Sequence, residues 1–300
     1  MLVKPRTESD KLKIYRSLHA RMNLCDHHKQ YFYNLQKGYE GEVIFDSLTE
    51  KLECESLILN DLQLRSNNSS FQIDSSLIQE TFYLFEIKHF GGDYYYQADN
   101  FYTMTGVKIQ NPLHQLNRCE SLLSQLLLKN GYNIPIQPWV VFVNPHFTLY
   151  QAPKDKPILF PSQIDQFMNK LNTFSGKPNG RAFKLAELLV SLHSSEDPYA
   201  ELPKYEFGQL KKGIMCKACG ALLTSISEEN LSCSRCSATE SVEPAVLRSI
   251  YELKLLFPDE KITTNLVQEW CHVINSQKRI NRILIKNFKA VGDKRWRYYE

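Results

Sequence analysis

Asp74, Glu86 and Lys88 are the residues whose types and spacing most clearly suggest catalytic chemistry. Asp74 ends a short apolar segment that begins at Phe71, and the other two end a longer one that begins at Phe82. Side chains alternate across a strand, so Glu86 and Lys88 point to the same face. Charged residues are uncommon at the centre of strands this apolar. If the two segments pair through the short turn between them, all three side chains meet on one sheet.

Two carboxylates and an ammonium group on a rigid sheet suit a metal-dependent phosphodiesterase. The carboxylates hold Mg²⁺, and the metal activates a water molecule and offsets the charge that develops on the phosphate. The lysine supplies a further positive charge to the attacking water or to the phosphate. The same spacing also arises by chance, so a surface hairpin with its polar side towards water is the alternative.

Four of the eight cysteines form two CxxC pairs, separated by thirteen residues, and predict a second metal site. Each pair lets two thiolates bind one ion from a tight turn, and two pairs complete a tetrahedral site with no open position for catalysis. A segment this small has too little core to fold without its metal. The alternative, two redox-active pairs, lacks the surrounding βαβ pattern. We therefore predict a zinc ribbon over residues 213–243, with Zn²⁺ held by Cys216, Cys219, Cys233 and Cys236.

The composition is that of an ordinary globular protein, with 43% hydrophobic residues, and the 300-residue length suggests two or three domains. No apolar run in the sequence approaches the ~20 residues that a membrane span needs. The first residues carry charges without the apolar core of a secretory signal. We therefore expect a cytoplasmic protein without a membrane partner, whose cysteines are metal ligands and buried thiols in a reducing compartment.

The positive charge is concentrated near the C-terminus. Residues 245–300 hold eleven Lys and Arg against six Asp and Glu, whereas the remainder holds 25 against 27. A polyanion would be expected to dock on this basic region.

The elements before the cysteines alternate between helices and strands, which indicates an α/β or α+β fold with a mixed sheet. Gly38 is expected to separate the second predicted helix from the third. A polar linker over residues 195–212 follows. The predicted helices cover about 12–22, 24–35, 39–52, 112–129, 161–174 and 181–193, and the predicted strands 56–64, 71–74, 82–88, 94–96, 101–109, 138–143 and 147–150.

The basic tail over residues 244–300 resembles a winged helix-turn-helix module, with helices predicted at 244–257, 262–274 and 277–288 and then a hairpin. Its third helix would lie in the major groove, with a core face of Ile280, Ile283, Leu284 and Ile285. The alternative is a basic helical domain with a solvated face, or one that docks a protein. The candidate nucleic-acid contacts are Lys278, Arg279, Arg282, Lys286, Lys294, Arg295 and Arg297.

Four short motifs occur in order between residues 35 and 130. They are Gly41-Glu42, then Gln72-Ile73-Asp74, then Glu86-Ile87-Lys88 followed by an aromatic residue and glycine, and then Asn111-Pro112 with Gln115. In this order they resemble the NERD (nuclease-related) domain, a branch of the PD-(D/E)xK nuclease superfamily. Ile73 stands where the superfamily name has proline.

The resemblance implies a restriction-endonuclease-like mixed β-sheet core flanked by helices, within a domain of residues 1–194 whose core spans about 35–150. It implies a nuclease that depends on Mg²⁺ or Mn²⁺. The implied site residues are Glu42 as an assistant in metal binding, Asp74 and Glu86 as metal ligands, Lys88 as the catalytic lysine, and Gln115, which could orient a water or a phosphate oxygen. His89 follows Lys88 on the opposite face and is interpreted as structural.

Three hypotheses follow for the whole chain. The first is a nuclease, with DNA as the expected substrate, whose ribbon and tail bind nucleic acid and position the cut. The second is a non-catalytic nucleic-acid-binding or regulatory protein that retains the fold. The third makes the ribbon and tail a docking platform for a protein partner. A homodimer is compatible with each, and the sequence leaves DNA against RNA and endo- against exonuclease open.

Overall fold

The computed structural model describes residues 1–194, 202–223, 225–226, 229–293 and 296–300, with the backbone alone given at 225–226. The chain forms two compact units. The sheet unit comprises Met1–Thr7 and Asn34–Pro198, and the ribbon unit comprises Glu8–Tyr33 and Tyr199–Glu300.

The described residues form helices and strands along the whole chain. The helices are α1 (Asp10–Arg21), α2 (Asp26–Thr49), α3 (Pro112–Lys129), α4 (Ile164–Asn172), α5 (Gly180–Ser191), α6 (Val242–Leu256), α7 (Thr264–Cys271) and α8 (Gln277–Asn287). The strands are β1 (Leu2–Lys4), β2 (Leu57–Ser66), β3 (Ser69–Ile78), β4 (Phe82–Lys88), β5 (Gly92–Gln97), β6 (Asn100–Thr103), β7 (Lys108–Ile109), β8 (Ile136–Phe142), β9 (Phe147–Tyr150), β10 (Ile158–Leu159), β11 (Ser225–Ile226), β12 (Asn230–Ser232), β13 (Thr239–Ser241), β14 (Ala290–Val291) and β15 (Tyr298–Tyr299).

Glu8–Tyr33 belong to the ribbon unit, whereas the sequence groups residues 1–194 together. Within the ribbon unit, α1 packs against α6. Arg21 at the end of α1 is fully buried, and its guanidinium pairs with Glu252 of α6. A buried arginine requires such a partner, so these contacts fix α1 in the ribbon unit.

A six-stranded mixed sheet, in the order β1-β2-β3-β4-β8-β10, forms the centre of the sheet unit. β2, β3 and β4 are antiparallel neighbours, β1 runs parallel to β2, and β8 runs parallel to both β4 and β10. Apolar side chains on one face pack with α3 and α5, and those on the other face pack with α2 and α4. The predicted mixed α/β class is confirmed, with helices on both faces of the sheet.

The pairing of β2 with β3 is interrupted where Asp61 and Asp74 lie opposite one another. The register passes over both residues, and Asp61 has a φ of 54°. Their carbonyl oxygens accept bonds from side chains near the N-terminus. Lys4 Nζ donates to the Asp61 carbonyl at 2.6 Å, and Arg6 Nη2 donates to the Asp74 carbonyl at 2.7 Å.

A smaller sheet, in the order β7-β6-β5-β9, follows directly from the end of β4. The single strand predicted over residues 101–109 is instead two antiparallel strands, β6 and β7. The chain reverses between them at Gly106, whose φ of +80° favours glycine.

Helix α2 continues through Gly38, where the sequence predicted an interruption. A glycine inside a helix costs about 1 kcal/mol relative to alanine and does not by itself end the helix. Phe45, further along α2, is fully buried in the sheet-unit core. Burying an aromatic side chain contributes roughly 1.5–3 kcal/mol, which offsets the cost of the glycine.

The ribbon unit contains a three-stranded antiparallel sheet, β11-β12-β13, followed by α6, α7 and α8 and the β14–β15 hairpin. Ile285 was predicted to lie on the core face of the third helix, but it is 53% exposed. That face therefore consists of Ile280, Ile283 and Leu284, which are buried. Within the described ranges, no helix combines the length and the apolar character that a membrane crossing requires.

Candidate active site

A cleft of about 750 Å³ opens in the sheet unit, between α2, the C-terminal end of β4 and α3. Polar and charged side chains from separate parts of the sequence meet there. All five residues that the sequence predicted for an active site line this cleft: Glu42, Asp74, Glu86, Lys88 and Gln115.

The β3–β4 ladder positions the central group of residues. The last residue pair of this ladder is Ser75 with Phe85. Beyond that pair, the Asp74 side chain replaces the backbone bonding, because its Oδ2 accepts the Ile87 N–H at 2.8 Å. On β4, Lys88 Nζ lies 2.7 Å from Glu86 Oε1. The two side chains stand on one face, as the strand alternation predicted.

Burial governs the protonation of these carboxylates. It raises the pKa of Asp74, although the Lys88 ammonium and the Ile87 N–H oppose the change. Burial, followed by repulsion from Asp74, raises the pKa of Glu86 to about 7 and that of Glu42 to about 8. Burial acts to lower the pKa of Lys88, but Glu86 and Asp74 raise it overall. Burial and repulsion from Asp74 thus oppose the ionisation of Glu42 and Glu86, whereas Lys88 favours the ionisation of Asp74 and Glu86.

Glu42 enters the cleft from α2 and is held by Arg6, whose side chain is only 3% exposed. Arg6 Nη1 lies 2.5 Å from Glu42 Oε2. The same guanidinium donates to both carboxylate oxygens of Asp46, from Nε at 2.8 Å and from Nη2 at 3.0 Å. Because Asp46 follows Glu42 by four residues on α2, the two carboxylates share one helix face.

Gly41 has a steric role next to Glu42. A Cβ at this position would lie 2.6 Å from the Cβ of His89 and 3.3 Å from Cγ2 of Val143. Only glycine lets α2 approach the end of β4 this closely. His89, predicted to lie on the opposite face from Lys88, also lines the cleft, and its Nδ1 bonds to the Lys37 carbonyl at 3.1 Å.

Asn111 and Pro112 fix the start of α3. Asn111 Oδ1 accepts the Leu113 N–H at 2.9 Å, and its Nδ2 donates to the Asp99 carbonyl at 2.8 Å. Proline suits the first turn of a helix, where its missing N–H is not needed. Gln115, one turn into the helix, therefore points into the cleft.

Residues 37–143 match the family model of the nuclease-related domain. No curated protein and no solved structure shows significant similarity to the chain. The five cleft residues all fall within the matched range, whereas Arg6, the cysteine pairs and the basic tail fall outside it. The prediction of a nuclease-related domain is confirmed for this part of the chain.

Several cleft residues of the nuclease-related domain were missed by sequence reasoning. Lys37 on α2 and Arg118 on α3 line the cleft from its two helical walls, and Tyr94 lines it from the smaller sheet. Helical spacing was the available signal, because Lys37 precedes Gly41 by four residues and Arg118 follows Gln115 by three. Arg6 gave no sequence signal, since its position depends on the pairing of β1 with β2.

The four cysteines of the predicted ribbon converge. Their sulfur atoms all lie within 4.8 Å of one another, and no other group of three or more His, Cys, Asp or Glu in the described ranges comes together as a candidate metal site. The Cys236 and Arg235 N–H groups lower the pKa of Cys233 to about 6 and favour its thiolate. Two matched turns present the sulfurs, because Gly220 N–H bonds to the Cys216 carbonyl and Ser237 N–H bonds to the Cys233 carbonyl. The cluster has the donor set and the spacing of a four-cysteine metal site.

The predicted nucleic-acid contacts of the tail differ in their surroundings. Lys278, Arg282 and Arg297 are exposed or half-buried, as is Arg279. Lys286 is instead ion-paired, with its Nζ 2.9 Å from Glu243 Oε1. Lys278 and Arg297 line a second polar cleft of about 380 Å³ within the ribbon unit. Lys294 and Arg295 lie outside the described residues.

Proposed function

We propose that the nuclease-related domain is a metal-dependent nuclease that hydrolyses phosphodiester bonds, with DNA as the expected substrate. The observation that carries the proposal is the meeting of three buried or half-buried carboxylates with Lys88 and Gln115 in a single cleft. Carboxylates in a cleft whose pKa values are raised by burial and by a neighbouring charge are typical of functional sites.

The donor chemistry of the cleft fits a divalent cation, although Glu42, Asp74 and Glu86 do not converge as closely as the four sulfurs do. Carboxylate oxygens are the ligands that Mg²⁺ and Mn²⁺ prefer, and Asp74 and Glu86 would hold the ion, with Glu42 beside them. When bound, the ion supplies an activated water and neutralises charge that develops on the phosphate. Lys88 now bonds Glu86 Oε1, so it must share or release that oxygen when a cation arrives.

The chain's own residues account for the remaining steps. Lys88 places a positive charge beside the reacting phosphate and the attacking water. The Gln115 amide orients a water or a phosphate oxygen by hydrogen bonding. Lys37 and Arg118, on opposite helical walls of the cleft, supply cations for the phosphates on either side of the bond that is cut.

The ribbon and the tail are proposed to support this activity. The four-cysteine cluster over residues 213–243 would bind Zn²⁺ and hold the ribbon folded. The tail over residues 244–300 would act as a winged helix-turn-helix module that contacts the nucleic-acid backbone through Lys278, Arg282 and Arg297. One zinc ion per chain, lost together with β-sheet structure on chelation, is the expected result of metal analysis and circular dichroism.

Cleavage assays test the proposed nuclease. The purified chain is incubated with supercoiled plasmid, linear duplex and single-stranded DNA in Mg²⁺ and then in Mn²⁺, with EDTA and a Lys88→Ala variant as controls. We expect metal-dependent cleavage that disappears in the variant. Absence of cleavage with DNA binding retained would contradict the proposal and favour a non-catalytic binding or regulatory protein.

Metal binding by the Lys88→Ala variant sharpens this test. Without the Lys88 ammonium, no lysine competes with the cation for the Glu86 carboxylate. Mn²⁺ should therefore bind at least as tightly as in the wild type. Loss of cleavage with metal binding retained would assign Lys88 to chemistry. Loss of both cleavage and metal binding would show that Lys88 maintains the structure of the site, and it would argue against a catalytic role.

A further inference from the structure

Arg6 is the residue through which the N-terminal segment reaches the cleft, although it lies thirty-one residues before the matched range begins. β1 pairs in parallel with β2 at the edge of the large sheet, and Arg6 follows two residues later. The 3% exposure of its side chain means that every donor must find a protein partner.

The bonds of Arg6 fall into an anchoring pair and a positioning pair. Both oxygens of Asp46 fix the guanidinium plane, through Nε at 2.8 Å and Nη2 at 3.0 Å. With the plane fixed, Nη1 holds Glu42 Oε2 at 2.5 Å, and Nη2 holds the Asp74 carbonyl at 2.7 Å. Arg6 thus joins the helical carboxylate to the backbone of the strand carboxylate.

The second positioning bond lies where the sheet is irregular. The β2–β3 register passes over Asp61 and Asp74, so strand pairing alone does not fix the backbone of Asp74. Lys4 donates to the Asp61 carbonyl on β2, and Arg6 donates to the Asp74 carbonyl on β3. Two cations of one short segment therefore hold both sides of the irregularity in place.

We infer that Arg6 is a positioning residue for the cleft. It sets the location of Glu42 and of Asp74 relative to each other. The inference rests on the proposed function for its effect on cleavage, but its structural part can be measured separately. It also makes residues 1–7 a necessary part of the nuclease site.

The test replaces Arg6 with lysine, which keeps the charge but cannot make the forked contact to Asp46 while also reaching Glu42 and Asp74. Arg65→Lys, at an exposed arginine on β2, is the matched control. The first readout is hydrogen exchange of the Ile87 amide, which Asp74 Oδ2 protects. The second is the kcat for DNA cleavage, measured with Glu42 present and again in a Glu42→Gln background.

We expect Arg6→Lys to speed exchange at Ile87 about tenfold and to lower kcat about 10–100-fold, the range seen when residues that orient metal ligands are changed. In the Glu42→Gln background, the further loss should shrink to about threefold, because residues that act through one another are not additive. Arg65→Lys should change neither readout.

Unchanged exchange at Ile87 would overturn the inference. An equal loss of kcat in both backgrounds would also overturn it, since Arg6 would then act independently of Glu42. A wild-type chain that does not cleave DNA would contradict the proposed nuclease, and the Ile87 measurement would still decide whether Arg6 positions Asp74.

Discussion

Arg6 in the sheet unit and Arg21 in the ribbon unit are both buried arginines, but their surroundings differ. Arg21 binds one carboxylate, with Nε and Nη2 each 2.8 Å from an oxygen of Glu252. Its remaining bonds go to the Lys211 and Gly213 carbonyls, and its guanidinium lies 3.9 Å from the ring centroid of Trp270. Arg6 faces two carboxylates directly and stands beside a third, Asp74.

The difference separates a structural ion pair from the cleft for which we propose a divalent cation. One arginine and one carboxylate with satisfied bonds are electrically balanced, and such a pair holds elements together. Around Arg6 and Lys88, burial and then repulsion from Asp74 raise the pKa values of Glu42 and Glu86. Ionising these carboxylates in the folded chain has a cost in stability, which a divalent cation at the proposed site would reduce.

The largest effect is expected from Asp74→Asn. The amide can still accept the Ile87 N–H, so the fold should be kept, but one charge of the proposed metal site is lost. We expect cleavage to fall on the order of 1,000-fold, comparable to the loss of a key electrostatic group in other enzymes. Thermal unfolding without Mg²⁺ or Mn²⁺ should show stability equal to or above the wild type. A destabilised variant would show that Asp74, like Glu252 beside Arg21, mainly stabilises the fold.

Glu252→Gln should do the opposite, because it removes the charge that balances Arg21. Leaving one member of a buried ion pair without its partner costs about 3–5 kcal/mol. Hydrogen exchange of the α1 and α6 amides measures the local loss. Glu243→Gln, which affects the exposed pair with Lys286, is the control and should leave the stability almost unchanged. Similar losses for both variants would refute the structural importance of the Arg21 pair.

The pH dependence follows from the raised pKa values. Glu42 and Glu86 have an ordinary value of 4.5 and values of about 8 and 7 in the folded chain. Their cost to stability is therefore absent below about pH 4.5 and complete above about pH 8. In buffer without Mg²⁺ or Mn²⁺, the Tm advantage of Asp74→Asn over the wild type should grow between pH 5.5 and pH 8. A constant difference would show that the cleft carboxylates are not strongly coupled.

The smallest effect is expected at the walls of the cleft. Lys37→Ala and Arg118→Ala should each weaken DNA binding a fewfold and reduce the slope of log affinity against log salt by about one. Lys184→Ala, at an exposed lysine on α5, should leave the slope unchanged. Salt-dependent binding titrations make this measurement. An unchanged slope for both wall variants would show that Lys37 and Arg118 do not contact the DNA.

Sequence reasoning found the parts of the site that follow local rules. Strand alternation placed Glu86 and Lys88 on one face, proline and asparagine marked the start of α3, and the CxxC spacing predicted the sulfur cluster. It was wrong at Gly38, because core packing outweighed the low helix propensity of glycine. It missed Arg6, whose contacts join residues 36, 40 and 68 positions apart, and such distant pairings leave no local pattern.

The parallel pairing of β1 with β2 has a practical consequence for preparing fragments of this chain. A fragment limited to residues 37–143 would lack β1 and leave the ten-residue, mostly buried strand β2 at the rim of the sheet. A long apolar strand with unpaired backbone groups is a template for other chains, so such a fragment should aggregate. Soluble fragments should instead retain Met1–Thr7, which cover that strand and deliver Arg6.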